Sequence, residues 1–240
     1  MNFELRKKKI LRYLKQKEFL EVQEMANELG VNPITIRRDF DALAKQQLLE
    51  RTHGGAKLIV NPPLVNFDIK ADQSLAVKQK IGKKASQYIK DGDIIFIDCG
   101  STTLQLCPFI LDKKIHVITN SLPVVSALQG ARCSLNIIGG ELDESRQAIH
   151  GHKALEHIKS YRANKAFIGV DAIDEQTGLW AHTEKEASIS RAFMNAAEEV
   201  YVLADSSKFQ KSAYLHFADI TEITLIIDER PSPLEHGNGL

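Results

Sequence analysis

Apolar residues recur at helical spacing near the start of the chain. Phe3, Ile10, Leu11 and Leu14 predict one short amphipathic helix, and Val22, Met25, Ala26 and Leu29 predict a second. The second run stops at Gly30, a residue suited to a helix C-cap. Next, Asn32 can cap the orphan N–H groups of a third helix, and Pro33 suits its first position because it needs no N–H partner. In that helix Ile36, Phe40 and Leu43 fall on one side, whereas Thr35, Arg37, Arg38 and Asp41 fall largely elsewhere. Leu48 to Leu58 reads as two short strands closed through a Gly54-Gly55 turn.

After Leu58 the run Ile59-Val60-Asn61-Pro62-Pro63 breaks both periodicities, which places a domain boundary there. Beyond it, short β-branched runs alternate with helical stretches: 94–97, 115–119, 135–138, 166–170, 200–203 and 223–227. The expected fold class is therefore α/β. A winged helix-turn-helix spans 1–58, with the helix-turn-helix at about 20–39 and the wing at about 48–58. A linker covers 59–72, a larger α/β domain with a mostly parallel sheet covers 73–228, and a loose tail of prolines and glycines covers 229–240.

Composition sharpens this division. The 240 residues are 43% hydrophobic and 26% charged, with zero net charge. The average hides an asymmetry: residues 1–57 hold 12 Lys and Arg against 8 Asp and Glu, leaving 19 against 23 in the remainder. The basic end is the candidate nucleic-acid end. Cys99, Cys107 and Cys133 form an odd set without CxxC spacing, which fits reduced thiols in a reducing compartment. No stretch approaches the ~18 apolar residues of a membrane span, so a soluble, cytoplasmic protein with no membrane partner is expected.

The third helix has the chemistry of a recognition helix. In the major groove its N-terminal part sets Arg37 and Arg38 against guanine edges or phosphates, with Thr35 beside them. The bland alternative is a solvated charged face. Arg51, His53 and Lys57 on the wing are available to the DNA backbone. A single helix-turn-helix reads few base pairs, so the partner is double-stranded operator DNA bound by a homo-oligomer, a dimer or tetramer.

An open α/β sheet binds its ligand beyond the carboxyl ends of its strands. The first strand ends in Asp98-Cys99-Gly100-Ser101-Thr102-Thr103, whose hydroxyls and free N–H groups can cradle a phosphate; the alternative is a well-capped helix. Polar or small groups recur at the same edge in Thr119-Asn120-Ser121, Gly139-Gly140 and Asp205-Ser206-Ser207-Lys208. Lys208 can neutralise a phosphate as a point charge, or be a solvated surface lysine.

Other chemistries find less support. His150, His152 and His157 cluster without a completing Cys or carboxylate pattern, so no metal is expected, and these histidines are read as exposed or at a pocket rim. Neither a G-x-S-x-G elbow nor a P-loop is present. A sugar-phosphate isomerase using Asp98, Glu184 or Glu186 as a base is the rival from another class, but such an enzyme has no use for a fused winged helix. A DNA-binding architectural protein with an inert second domain would not gather polar motifs at strand ends.

Through Thr35-Ile36-Arg37-Arg38-Asp39-Phe40 and His53-Gly54-Gly55-Ala56 the sequence resembles the DeoR family of bacterial regulators. Asn32 stands where the family usually has a small hydroxyl residue, and Gln47 where it often has Gly. The strand-end motifs are similar to the family's sensor half, which looks like the sugar-phosphate isomerase and deaminase fold. The resemblance implies a phosphorylated sugar or polyol effector, no cofactor, no enzymatic activity, and a pocket lined by Asp98, Gly100, Ser101, Thr102, Thr103, Asn120 and Lys208. Gly139, Gly140 and the segment from Trp180 to Glu186 would lie nearby, with Trp180 serving packing. It further implies a transcription factor repressing a carbohydrate-utilisation operon, with activation as the alternative.

Overall fold

The computed structural model describes residues 3–17, 19–45, 49–57, 67 and 74–230. The chain divides into two compact units, Met1–Val65 and Asn66–Leu240.

In the first unit, α1 (Phe3–Lys17), α2 (Val22–Leu29) and α3 (Pro33–Lys45) surround a core of Ile10, Leu14, Met25, Ile36, Phe40 and Leu43. Gly30 ends α2 in the left-handed conformation (φ 62°), returning its N–H to Ala26 and Asn27. The Asn32 side chain accepts from the Ile34 N–H at 2.9 Å, so α3 starts where the cap chemistry places it. A part-buried ion pair locks α1 onto α3: Arg6 donates from Nε and Nη2 to the buried Asp39 at 2.5 and 2.9 Å.

The wing has three strands. Between the first two helices lies β1 (Phe19–Glu21), and β3 (Gly55–Lys57) pairs antiparallel with both β1 and β2 (Glu50–Thr52). Of the expected Gly-Gly turn only Gly54 (φ 85°) turns the chain. Gly55 is already in the ladder, where a Cβ would sit 2.3 Å from the Leu20 carbonyl oxygen. Leu48 and Gln47 lie outside the described residues, as do Leu58 and all of the expected linker except Phe67, which is buried and donates its N–H to Ser145.

The second unit is built on a six-stranded parallel sheet. Its strands are β4 (Ile94–Ile97), β5 (His116–Thr119), β6 (Ser134–Ile137), β9 (Ala163–Gly169), β12 (Ala197–Leu203) and β14 (Leu225–Ile227), in the order β14-β12-β9-β4-β5-β6. Strand alternation sends Phe96, Ile168 and Val202 to one face, under α6 (His152–Lys159) and α7 (Glu184–Asn195), with Phe96 stacked on Phe193 at 4.6 Å. Ile95, Ile97, Phe167 and Leu203 go to the other, under α4 (Leu75–Ala85), α5 (Leu122–Leu128) and a 3₁₀ helix, Thr103–Phe109. Both faces are covered, which explains why the strands read as continuous apolar runs.

Five short strands had no counterpart in the periodicity. A hairpin of β7 (Glu141–Asp143) and β8 (Ala148–His150) follows β6, and β10 (Ala172–Asp174), β11 (Gly178–Ala181) and β13 (Leu215–Ala218) form a small antiparallel sheet. Glu229 and Arg230, expected in the loose tail, are engaged: Glu229 accepts from the Ser206 N–H at 3.0 Å and Arg230 lies 4.6 Å over the Phe209 ring. Residues 231–240 lie outside the described residues.

Mid-helix glycine normally costs about 1 kcal/mol against alanine, yet Gly82 lets α4 touch the 3₁₀ segment directly. A Cβ there would meet the Gln105 carbonyl oxygen at 2.1 Å. Gly82→Ala should therefore destabilise the protein by about 1–3 kcal/mol through overpacking, read as a lower urea midpoint with an unchanged slope. A gain in stability, as helix propensity alone dictates, would contradict this packing.

Candidate functional site

Each unit carries its own candidate surface. In the first, Arg37 and Arg38 are exposed on α3, and neither has an ion pair or hydrogen bond among the described residues. Thr35 is half-buried on the same helix, and His53 is exposed at the wing turn. Lys57 is exposed but pairs with Glu50 at 3.1 Å. Arg51 differs from expectation: it donates to Asp41 at 2.8 Å and to the Gly55 carbonyl at 2.7 Å, and lies 5.7 Å over the Phe40 ring. It ties the wing to α3, with these two donors engaged inside the unit.

In the second unit, chain direction creates the site. From β4 the chain proceeds outward to β5 and β6, then returns to β9 on the other side of β4 and continues to β12 and β14. The switch point, where a crevice opens at the carboxyl ends, therefore lies between β4 and β9. Asp98 spans it. Its Oδ1 accepts from the Gly100 N–H at 2.8 Å and the Thr103 hydroxyl at 2.9 Å, and its Oδ2 accepts from the Gly169 N–H at 2.7 Å. Burial pushes the Asp98 carboxyl up from the ordinary range, while these three donors pull it down.

Two residues of the expected cradle thus serve its construction. Asp98 is saturated by three donors, and the Thr103 hydroxyl, fully buried, is spent on Asp98 and on the Gly100 carbonyl at 2.7 Å. The helix after this turn is a 3₁₀ stretch of seven residues, with Pro108 inside it. Gly100 and Gly169 let the two strand ends approach closely: a Cβ on Gly100 would lie 3.5 Å from the Gly169 Cα and 3.0 Å from Asp98.

Ser101 is half-buried and Thr102 buried. Their backbone N–H groups have no partner among the described residues. Lys78, buried on α4, reaches the Ser101 hydroxyl with its ammonium at 3.0 Å. The charge that would complement an anion at this turn therefore comes from a residue that strand-end reasoning missed. Lys208 is half-buried in the 3₁₀ turn after β12, whose N-terminus Asp205 caps by accepting from the Ser207 N–H at 3.0 Å. It shares the edge, but β12 stands two strands from β4, about 10 Å by ordinary strand spacing.

On the opposite side the β7–β8 hairpin folds over the end of β5. Asn120 exchanges backbone and side-chain bonds with it: the Ile149 N–H donates to the Asn120 carbonyl at 2.7 Å, and Asn120 Nδ2 donates to the Ile149 carbonyl at 3.0 Å. Arg146, in the hairpin turn, is buried and ion-paired with Glu186 in the first turn of α7. His150 is also buried, against the expectation of an exposed or rim histidine, and burial holds its imidazole below the ordinary range. Gly139 gives its N–H to His157 Nδ1 at 3.1 Å. Trp180 is half-buried, with its Nε1 on Thr177 and its ring edge on His216. The Cys99 thiol is pushed up to about 12 by burial, and the Cys107 thiol likewise to about 12, so neither is a nucleophile at neutral pH. Among the described residues no three His, Cys, Asp or Glu side chains gather as metal ligands, and no helix is long and apolar enough to cross a membrane.

The comparisons agree with this two-part layout. Residues 6–61 match the DeoR-like helix-turn-helix domain, and residues 73–230 match the DeoR C terminal sensor domain. The lactose phosphotransferase system repressor of Lactococcus lactis subsp. lactis is 39% identical over 218 residues, covering 88% of this chain and 85% of the relative. A putative aga operon transcriptional repressor of Escherichia coli O157:H7 is 32% identical, covering 98% and 89% respectively. The glycerol-3-phosphate regulon repressor of Escherichia coli (strain K12) is 31% identical, covering 94% and 90%.

Proposed function

This chain belongs to the DeoR family of transcriptional regulators, and from that premise we propose that it represses a carbohydrate-utilisation operon and releases its operator on binding a phosphorylated sugar or polyol. It is a DNA-binding regulator and not an enzyme. It works in the cytoplasm, where both operator and sugar phosphate are found. The observation that carries the effector reading is the turn after β4: two N–H groups, at Ser101 and Thr102, without partners among the described residues, beside the buried Lys78 ammonium. Such a turn favours a compact anion. The names of the relatives, with sugar operons and a glycerol-3-phosphate regulon among them, support the same reading.

In this reading Asp98, Gly100 and Thr103 set the shape of the turn, Ser101 and Thr102 meet the phosphate with Lys208 neutralising it, and Asn120 flanks the rest of the ligand. Release follows when the effector binds the DNA-free arrangement better than the DNA-bound one, since equal affinity for both shifts nothing. Thr35, Arg37 and Arg38 contact the major groove, while His53 and Lys57 contact the phosphate backbone. Arg51 contributes by holding the wing in place.

Arg37→Ala and Arg38→Ala should each lose on the order of 1–3 kcal/mol of operator affinity if they touch base edges, measured by fluorescence anisotropy, and Lys57→Ala should lower the salt slope by about 1. Retained wild-type affinity in both arginine variants would rule out α3 as the reading element. Matched free and phosphorylated sugars should separate in calorimetry: hydrogen bonds to charged groups are worth about 1.5–3 kcal/mol against roughly 0.5–1.5 for neutral ones. Ser101→Ala and Lys208→Ala should weaken only the phosphorylated member of a pair; equal binding within every pair would refute the phosphate reading. Paired operator half-sites require a two-fold partner, so light scattering should report at least a dimer, and a monomer both free and on DNA would count against it.

A further inference from the structure

Buried polar atoms in folded proteins nearly always have hydrogen-bond partners, because an orphan gives up its water for nothing. Six buried side-chain atoms among the described residues break this rule, and five of them sit on three residues: Asn120 Oδ1, Arg146 Nε and Nη1, and both ring nitrogens of His150. Exposure is 0% for Asn120, 1% for His150 and 7% for Arg146. The three belong to one neighbourhood. Asn120 is bonded through backbone and side chain to Ile149, the residue before His150, and Arg146 stands in the turn of the same hairpin. Thr119, the residue before Asn120, is in register with Ile97, the residue before Asp98, so the group lies one strand over from the phosphate-type turn.

The orphans define a chemistry. Arg146 brings donors only, Asn120 Oδ1 brings an acceptor, and a neutral imidazole brings one of each. His150 is held neutral by burial, with Arg146 and Lys185 adding to that and Asp143 opposing it. Arg146 already spends its charge on Glu186, and Asp98 lies near enough to feel it. A second anion would meet these carboxylates, and a metal ion would meet a guanidinium. Hydroxyl groups carry no charge, and each can donate and accept at once.

We propose that Asn120, Arg146 and His150 form a hydroxyl-reading subsite that recognises adjacent hydroxyls on the carbon chain of the effector, with Glu186 holding the Arg146 guanidinium in place. The inference rests on the reading of the crevice as a sugar-phosphate site. It divides the ligand in two: the turn after β4 takes the phosphate, and the hairpin residues choose among sugars by where their hydroxyls fall.

Calorimetry on the full chain tests it, with inorganic phosphate, glycerol 3-phosphate, ribose 5-phosphate, fructose 1-phosphate and glucose 6-phosphate as titrants. The wild type should bind at least one sugar phosphate ten or more times tighter than inorganic phosphate. Arg146→Lys and His150→Phe should each erase that tenfold gain while leaving inorganic phosphate within twofold, whereas Ser101→Ala should weaken phosphate and sugar phosphate alike. Wild-type selectivity in both hairpin variants would overturn the subsite and leave the phosphate reading standing. Parallel loss of phosphate and sugar phosphate in those variants would assign Arg146 and His150 to folding alone, and also overturn it. If the wild type bound neither phosphate nor any sugar phosphate, both readings would fall together.

Discussion

A buried carboxylate bridges the one seam that the parallel sheet cannot close by chain continuity. β4 and β9 are neighbours in space but are separated in sequence by β5, β6 and the hairpin. Their ladder ends with Ile97 opposite Phe167. Beyond that point Asp98 continues the join with a side chain, taking the Gly169 N–H on one oxygen and its own turn on the other. Three donors surround a carboxyl group whose charge burial disfavours, and removing it would strand the Gly100 and Gly169 N–H groups at a cost of about 1–3 kcal/mol each. The turn of Ser101 and Thr102, the approach of Lys78 and the close contact of Gly100 with Gly169 all inherit their geometry from that arrangement.

The winged unit uses the same device on a smaller scale. Arg6 and Asp39 form a part-buried, two-pronged pair between α1 and α3, so Asp39, in the middle of the recognition helix, is turned toward the core and not toward DNA. Arg51 does comparable work at the surface by joining wing to helix. Charged residues in this unit therefore split into those that build it, Arg6, Asp39 and Arg51, and those left exposed, Arg37 and Arg38. Net charge alone does not distinguish the two sets.

What could be read from the chain follows from how locally each feature is encoded. The six sheet strands were legible because strands buried on both faces are continuous apolar runs, and Gly30 and Asn32 because caps are decided by one or two residues. β1 was not, since three residues between two helices carry no period. The 3₁₀ stretch from Thr103 to Phe109 is not distinguishable from an α-helix in the sequence, because both begin with the same capping hydroxyls. At the site, reasoning from strand ends found the turn but not who would occupy it: Thr103 faces inward, and Lys78 arrives from a helix some twenty residues earlier. Gly169 was within reach of that reasoning, standing at the end of its own strand. Arg146 and His150 were not, because a hairpin brings them to the crevice only after it has folded.

Along the crevice, the side between β4 and β9 is made largely of peptide groups, and the side under the hairpin is made of side chains. These two surfaces differ in how they can change over generations. Replacing a residue alters a side chain but leaves an N–H where it was, so the backbone-lined half resists remodelling one substitution at a time. The hairpin half has no such protection. A lineage that needs to answer a different nutrient can rewrite a few hairpin positions and keep the sheet, the seam and the phosphate-type turn as they are.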